Sequence, residues 1–188
     1  MDRIQKISSY LLVIFNILLV VLPLSLLILW FFIDVDPIKE AIKHGLLFGP
    51  VDTPEGIVNL GTIKWYPLTK FTGFMGSLLG ILPILLGLMI LKTIFRNYRK
   101  GEIFNITNAR QYKYLGYLFF LDALLTKPLS DMLQVLSVTF TYPPGLRYIS
   151  IGFGTPNMEA LFCGILVIVI SWVMVEGYKL QEEQKLII

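Results

Sequence analysis

Three ionisable side chains stand inside one apolar run, Asp122, Lys127 and Asp131 between Leu115 and Val138. A charge at bilayer depth costs about 2.5–3.5 kcal/mol on insertion scales, so each needs a partner or a task. Lys127 and Asp131 are four residues apart and can pair along a helix, although Lys before Asp is the weaker order. Asp122 lies about 140° and about 180° around a straight helix from them, so the three form no single cluster unless Pro128 kinks the segment. Asn16 and Ser171 occupy two other apolar runs. Counted from the basic ends of the runs, both fall at a depth close to that of Asp122, which predicts one shared polar layer. The chemistry open to such a set is an ion or proton path through a broken helix; the plainer reading is internal hydrogen bonding. Catalysis finds no comparable support. His44 is the only histidine and Cys163 the only cysteine, the latter read as a small apolar filler. No HExxH, GxSxG, CxxC or Gly-rich phosphate loop occurs, so no enzyme activity, metal or cofactor is expected.

The elements that hold these residues follow from composition. Of 188 residues 55% are hydrophobic and only 15% charged, against about 25% charged in an ordinary soluble domain. This excludes a soluble globular enzyme, a disordered chain and a disulfide-stapled secreted domain. The apolar excess lies in four runs, residues 10–33, 71–91, 115–138 and 158–175. Each approaches the roughly 20 residues a helix needs to cross hydrocarbon, and each is continuous rather than alternating. The expected fold is an all-α membrane protein, a four-helix transmembrane bundle forming a single polytopic domain over 1–188. Residues 10–33 exceed a signal-peptide core in length, and no small-x-small site follows before Asp34, so cleavage is not expected.

Lysine and arginine set the orientation. Ten fall in residues 1–9, 92–114 and 176–188, against five in residues 34–70 and 139–157. The bias places both termini and the loop 92–114 in the cytoplasm, with 34–70 and 139–157 outside. No basic run of the nucleic-acid-binding kind occurs, so direct nucleic-acid contact is not expected.

The outer loop 34–70 is long enough to carry structure of its own. Asp36-Pro37 reads as an N-cap followed by proline. Ile38, Ala41 and Ile42 then form one helical face that Gly45 ends, predicting a short amphipathic helix on the outer membrane surface. Residues 56–65 read as two short strands about a turn. Residues 146–153, after Pro143-Pro144-Gly145, alternate in the manner of a third, and together they predict a small extracytoplasmic β cap. On the inner side Gly101 ends a basic helix, and Asn105 or Thr107 caps the next. Asn105-Ile106-Thr107 is also a glycosylation sequon, but it faces the cytoplasm here, so capping is the better reading. The second run carries a small-residue stripe, Gly73, Gly76, Ser77, Gly80 and Gly87, suited to packing inside the bundle or to a homo-oligomer interface.

Two stretches carry a family resemblance. Tyr98-Arg99-Lys100-Gly101-Glu102-Ile103-Phe104-Asn105-Ile106-Thr107-Asn108-Ala109-Arg110, followed by Tyr114-Leu115-Gly116, is one; the tail Glu176-Gly177-Tyr178-Lys179-Leu180-Gln181-Glu182-Glu183-Gln184-Lys185-Leu186-Ile187-Ile188 is the other. Both resemble the bacterial four-helix membrane proteins called domain of unknown function 2975. In that family a basic helix end and a Gly-x-x-Phe-Thr turn precede Asn and an Arg-rich helix start. Here Asn105 stands in place of that Thr, and Gln111-Tyr112-Lys113 is less Arg-rich. The likeness covers roughly residues 70–188. It implies a bacterial inner-membrane location and a link with small helix-turn-helix regulators often encoded beside such proteins, and it supplies no catalytic residue.

The expected function is a binding or regulatory module in the lipid bilayer. Its cytoplasmic face is Arg96, Arg99, Lys100, Arg110 and Lys113 with the tail 181–188, which docks either a cytoplasmic protein or the chain's own middle loop. The alternatives are a small transporter or channel using Asp122 and Lys127, and an accessory subunit of a membrane complex.

Overall fold

The computed structural model describes residues 3–151 and 157–186, and helices take up 76% of them. Six α-helices follow in order: α1 Arg3–Phe31, α2 Asp36–Lys43, α3 Pro67–Arg99, α4 Ile106–Leu121, α5 Lys127–Thr139 and α6 Met158–Leu186. Two short strands, β1 Val51–Thr53 and β2 Gly56–Val58, lie between α2 and α3. α1, α3 and α6 are each long and apolar enough to cross a membrane. Large apolar side chains such as Val13, Ile17, Val20 and Leu24 on α1, or Phe162, Ile165 and Val169 on α6, remain exposed. Exposed apolar surface on this scale requires a non-aqueous partner, and the three helices mark the chain as a membrane protein.

The run 115–138, expected as one span that Pro128 could kink, belongs to a single helical path in three parts. α4 gives way at Asp122 to a π-helical turn, Asp122–Thr126, before α5 resumes at Lys127. Pro128 explains the break. It has no N–H for the carbonyl of Leu124 and its ring crowds that carbonyl, so the backbone widens one turn earlier.

The chain divides into two units, which are described separately. The first comprises residues 1–21, 82–124 and 155–188. Here α4 and α6 pack closely through glycines. A Cβ on Gly116 would lie 2.9 Å from the carbonyl oxygen of Gly164, and one on Gly164 would lie 3.1 Å from that of Gly116. Phe15 of α1 meets Phe95 of α3 edge to face, with centroids 5.5 Å apart.

The second unit comprises residues 22–81 and 125–154. Its core gathers Leu26, Trp30, Ile33, Ile42, Leu60, Ile63, Trp65 and Val138. Trp30 and Trp65 meet at 5.2 Å and 85°. α2 forms as expected but begins one residue earlier: Val35 holds the N-cap position without a side-chain cap, and Asp36 and Pro37 are already helical. Gly45, at φ 70°, closes it with the amides of Gly45 and Leu46 donating to Ile42 and Ala41. The apolar face of α2 is spent inside the protein: Ile42 is buried in the core and Ile38 packs against it, so that face is not free to lie on a membrane.

The β structure is smaller than expected and pairs differently. β1 and β2 are antiparallel, Val51 opposite Val58, with Pro54-Glu55 at the turn. Residues 60–62 form a 3₁₀ turn instead of a strand, because the Asn59 side chain accepts from Gly61 N–H at 2.9 Å and starts the turn locally. Asn59 Nδ2 also donates to the Lys43 carbonyl, tying this turn to the end of α2. Residues 146–151 form no strand, and 152–156, where the predicted third strand continues, lie outside the described residues.

Candidate functional site

The link between α3 and α4 is held by a dense set of hydrogen bonds. α3 ends at Arg99 and the chain reverses at Gly101, where φ is 86° and a side chain would be strained. The amides of Gly101 and Glu102 donate to the carbonyls of Tyr98 and Asn97 at 3.0 Å each, closing the helix as a Schellman turn. Asn105 caps α4, its Oδ1 accepting from the Thr107 amide at 2.8 Å, and its Nδ2 donates to Glu102 Oε2. Of the two expected caps it is Asn105 that does the work.

Asn108 locks the turn from beneath. It is fully buried, its Nδ2 donates to the carbonyls of Glu102 and Ile103 at 2.8 and 3.0 Å, and its Oδ1 accepts from Asn97 Nδ2 at 2.7 Å. Both amide hydrogens and the amide oxygen are thus used, which ties the backbone of Glu102 and Ile103 and the Asn97 side chain of α3 to α4. Tyr98 and Tyr112 share a hydroxyl–hydroxyl bond of 3.0 Å across the same pair. Phe104, just past the turn, lies over Gly177 of α6, where an added Cβ would come within 2.5 Å of the ring. The two stretches singled out in the sequence therefore meet: Phe104 belongs to one and Gly177 to the other.

This frame presents Arg96, Arg99 and Lys100 from the end of α3, and Arg110 and Lys113 from α4, all exposed. None of the five makes an ion pair among the described residues. In contrast Lys39, Lys43, Lys70 and Lys127 of the second unit each meet a carboxylate. Glu102, the carboxylate of the turn itself, accepts from Asn105, and among the described residues it pairs with none of the five cations.

The expected intramembrane residues separate. Ser171 is buried and donates to the Ala109 carbonyl at 2.8 Å. Asp122 stands thirteen positions further along the same helical path, about 20 Å away at 1.5 Å per residue. Asn16 is exposed on α1. The shared polar layer is thus not formed, because α4 begins at Ile106, and measuring depth from Leu115 misplaced Asp122. Asp122 opens the π turn, half-buried. Lys127 and Asp131 pair, the ammonium donating to both carboxylate oxygens at 2.9 Å.

The small-residue stripe on α3 is filled by the chain itself. Gly73 lies beneath the Trp30 indole, and Gly76 and Gly80 lie against Ser130 of α5. Ser130 Oγ donates to the Gly76 carbonyl at 2.8 Å, and Ser77 Oγ accepts from Trp30 Nε1 and Gln134 Nε2. A Cβ added at Gly87 would meet only ordinary contacts, 3.6 Å to Leu115 and 3.7 Å to Leu118. Asn97, Asn108, Gln134 and the Gly116–Gly164 contact escaped the sequence reading. The one available signal was that Asn108 sits in an apolar helical phase with Ala109 and needs a polar partner.

A family model described as a protein of unknown function, DUF2975, matches residues 51–188. The chain belongs to this family. The match reaches further toward the N-terminus than the resemblance over 70–188, taking in the β1–β2 hairpin and the 3₁₀ turn. No curated protein and no solved structure matches the chain. In this DUF2975 member, the segment from Gly101 to Gly116 supplies the turn glycine, the α4 cap, the buried Asn108 and the close contact with α6.

Proposed function

We propose that this DUF2975 protein is a four-span, non-enzymatic binding module of the bacterial inner membrane, with both termini cytoplasmic. In this reading α4, the π turn and α5 together make the third crossing, completing a four-helix bundle whose outer end carries the hairpin cap. The locked α3–α4 turn presents its cations to a cytoplasmic protein with an acidic surface. A small helix-turn-helix regulator is the partner class that the family resemblance points to.

The observation that carries the reading is the pairing of rigidity with unpaired charge: a turn fixed by Asn97, Asn105 and Asn108 whose Arg96, Arg99 and Lys100 make no ion pair among the described residues. A preformed cationic face binds without the cost of ordering it, and charge complementarity speeds encounter and selects the partner. A photo-crosslinking residue at position 100 tests this in living cells. The expected adduct is a soluble acidic protein, lost on R96E/R99E/K100E and on deletion of residues 181–188, with membrane insertion unchanged. Capture of no soluble protein from position 100, while position 55 behaves the same, contradicts it.

The π turn supports a second reading, a small transporter or channel, since such turns in helices recur at functional sites. Flux in proteoliposomes that disappears in Asp122→Asn and Lys127→Ala favours transport; no flux of any tested ion favours the module. Co-purification of a stoichiometric membrane partner in mild detergent would make the protein an accessory subunit.

A further inference from the structure

Arg110 and Lys113 differ from the three cations of α3 in what surrounds them. They line a groove of about 330 Å³ between α4 and α6, together with Ile106, Ala109, Tyr114, Tyr117, Ser171 and Val175. The groove exists because Ala109 and Ser171 are small and tied together, Ser171 Oγ donating to the Ala109 carbonyl. That bond occupies the serine proton, so the floor offers aliphatic surface, and the polar donors belong to the rim. On α4, positions 110, 113, 114 and 117 share one face by helical spacing, two cations followed by two tyrosines. Tyr114 and Tyr117 are each 49% exposed, and the Lys113 ammonium stands 5.7 Å from the Tyr117 ring centroid. No carboxylate lines the groove and neither cation has an ion-pair partner among the described residues.

We propose that this groove is a binding site for an anionic phospholipid, its phosphate held by Arg110 and Lys113, its glycerol beside Ala109 and its acyl chains running past Tyr114 and Tyr117 toward the membrane interior. Charge complementarity selects the occupant. Two unpaired cations over an aliphatic floor match a phosphodiester joined to hydrocarbon. An acidic peptide segment would leave the apolar floor unused. Tyrosines beside the cations place the rim at headgroup level, where amphipathic rings settle. Arginine gives the phosphate a bidentate fork and lysine a mobile point charge. The site is independent of the proposed protein partner, which uses the α3 cations.

Spin-labelled lipids read the site directly. With the full chain in phosphatidylcholine vesicles, a trace of spin-labelled phosphatidylglycerol should show a larger motionally restricted fraction than spin-labelled phosphatidylcholine. In R110Q/K113Q the preference should fall by about fivefold or more, the scale of one to two basic groups at an anionic surface. R110K, which keeps the charge and loses the fork, should fall between. R96Q/R99Q/K100Q should stay within twofold of the parent. All substituted side chains are exposed, so folding is preserved, and unchanged far-ultraviolet circular dichroism checks it. A preference unaltered in R110Q/K113Q, or one lost equally in the α3 triple variant, would overturn the assignment.

Discussion

Replacing Asn108 with alanine removes three hydrogen bonds at once while leaving Arg99, Lys100, Arg110 and Lys113 untouched. The side chain is fully buried, so no water stands ready to take over its contacts in the closed turn. The lost bonds are those to the Glu102 and Ile103 carbonyls and from Asn97 Nδ2. At about 1 kcal/mol net for each bond, with a further contribution from the small cavity left behind, the closed turn should lose about 2–4 kcal/mol. The population in which residues 96–110 open should rise by roughly 30-fold to 1,000-fold. Hydrogen exchange read by mass spectrometry on the peptide covering those residues measures this directly. The amides of Gly101 and Glu102 are the reporters, since their bonds to Tyr98 and Asn97 exist only in the closed turn. Asn105→Ala, which removes the helix cap, should cost about 1 kcal/mol and speed exchange about fivefold. If Asn108→Ala exchanges within threefold of the parent, the turn is not held by Asn108 and the argument for a preformed cationic face fails.

Other substitutions probe the packing. Gly73→Ala pushes a methyl into the Trp30 indole and should destabilise by about 1–3 kcal/mol, with a red shift of tryptophan emission; an unshifted spectrum would mean the ring is free to move. Gly116→Ala places its Cβ 2.5 Å from Ile168 and 2.9 Å from the Gly164 carbonyl, and should weaken the packing of α4 on α6, measurable as a lower thermal melting temperature; an unchanged melt would mean the contact is loose. Lys43 donates to Glu40 at 2.6 Å and holds that carboxyl below its ordinary value, so Lys43→Met should raise the Glu40 titration midpoint by nuclear magnetic resonance. Lys127→Met leaves Asp131 without its ammonium partner in the proposed third crossing and should cost more than the ~1 kcal/mol of a water-exposed pair; a smaller loss by thermal melting would place the pair in water beyond the hydrocarbon.

Much of the fold was readable because lipid imposes simple requirements. The runs 71–91 and 158–175 fall inside α3 and α6, the run 10–33 overshoots the end of α1 at Phe31, and Gly101 and Asn105 end one helix and begin another for local reasons the sequence carries. The failures share a cause: they depend on partners distant along the chain or on counting from the wrong end. Asn97 and Asn108 are eleven residues apart across a turn, with no periodicity to announce their bond. β1 is three residues long, too short to show alternation, so β2 was given the wrong partner. Asp122 was set level with Ser171 because the polar start of α4, from Ile106, was left out of the depth count. The small-residue stripe was recognised, but nothing local said that Trp30 and Ser130 would fill it.

The whole reading depends on the α3–α4 turn and the end of α6 sharing one side of the membrane, opposite α2 and the hairpin. Cys163 is the only native cysteine, so in a Cys163→Ala background single cysteines at Lys100, Gln181 and Glu55 can be probed with a membrane-impermeant maleimide on intact cells. The account requires labelling at 55 before lysis, and at 100 and 181 only after it. Labelling of position 100 or 181 from outside intact cells would contradict it.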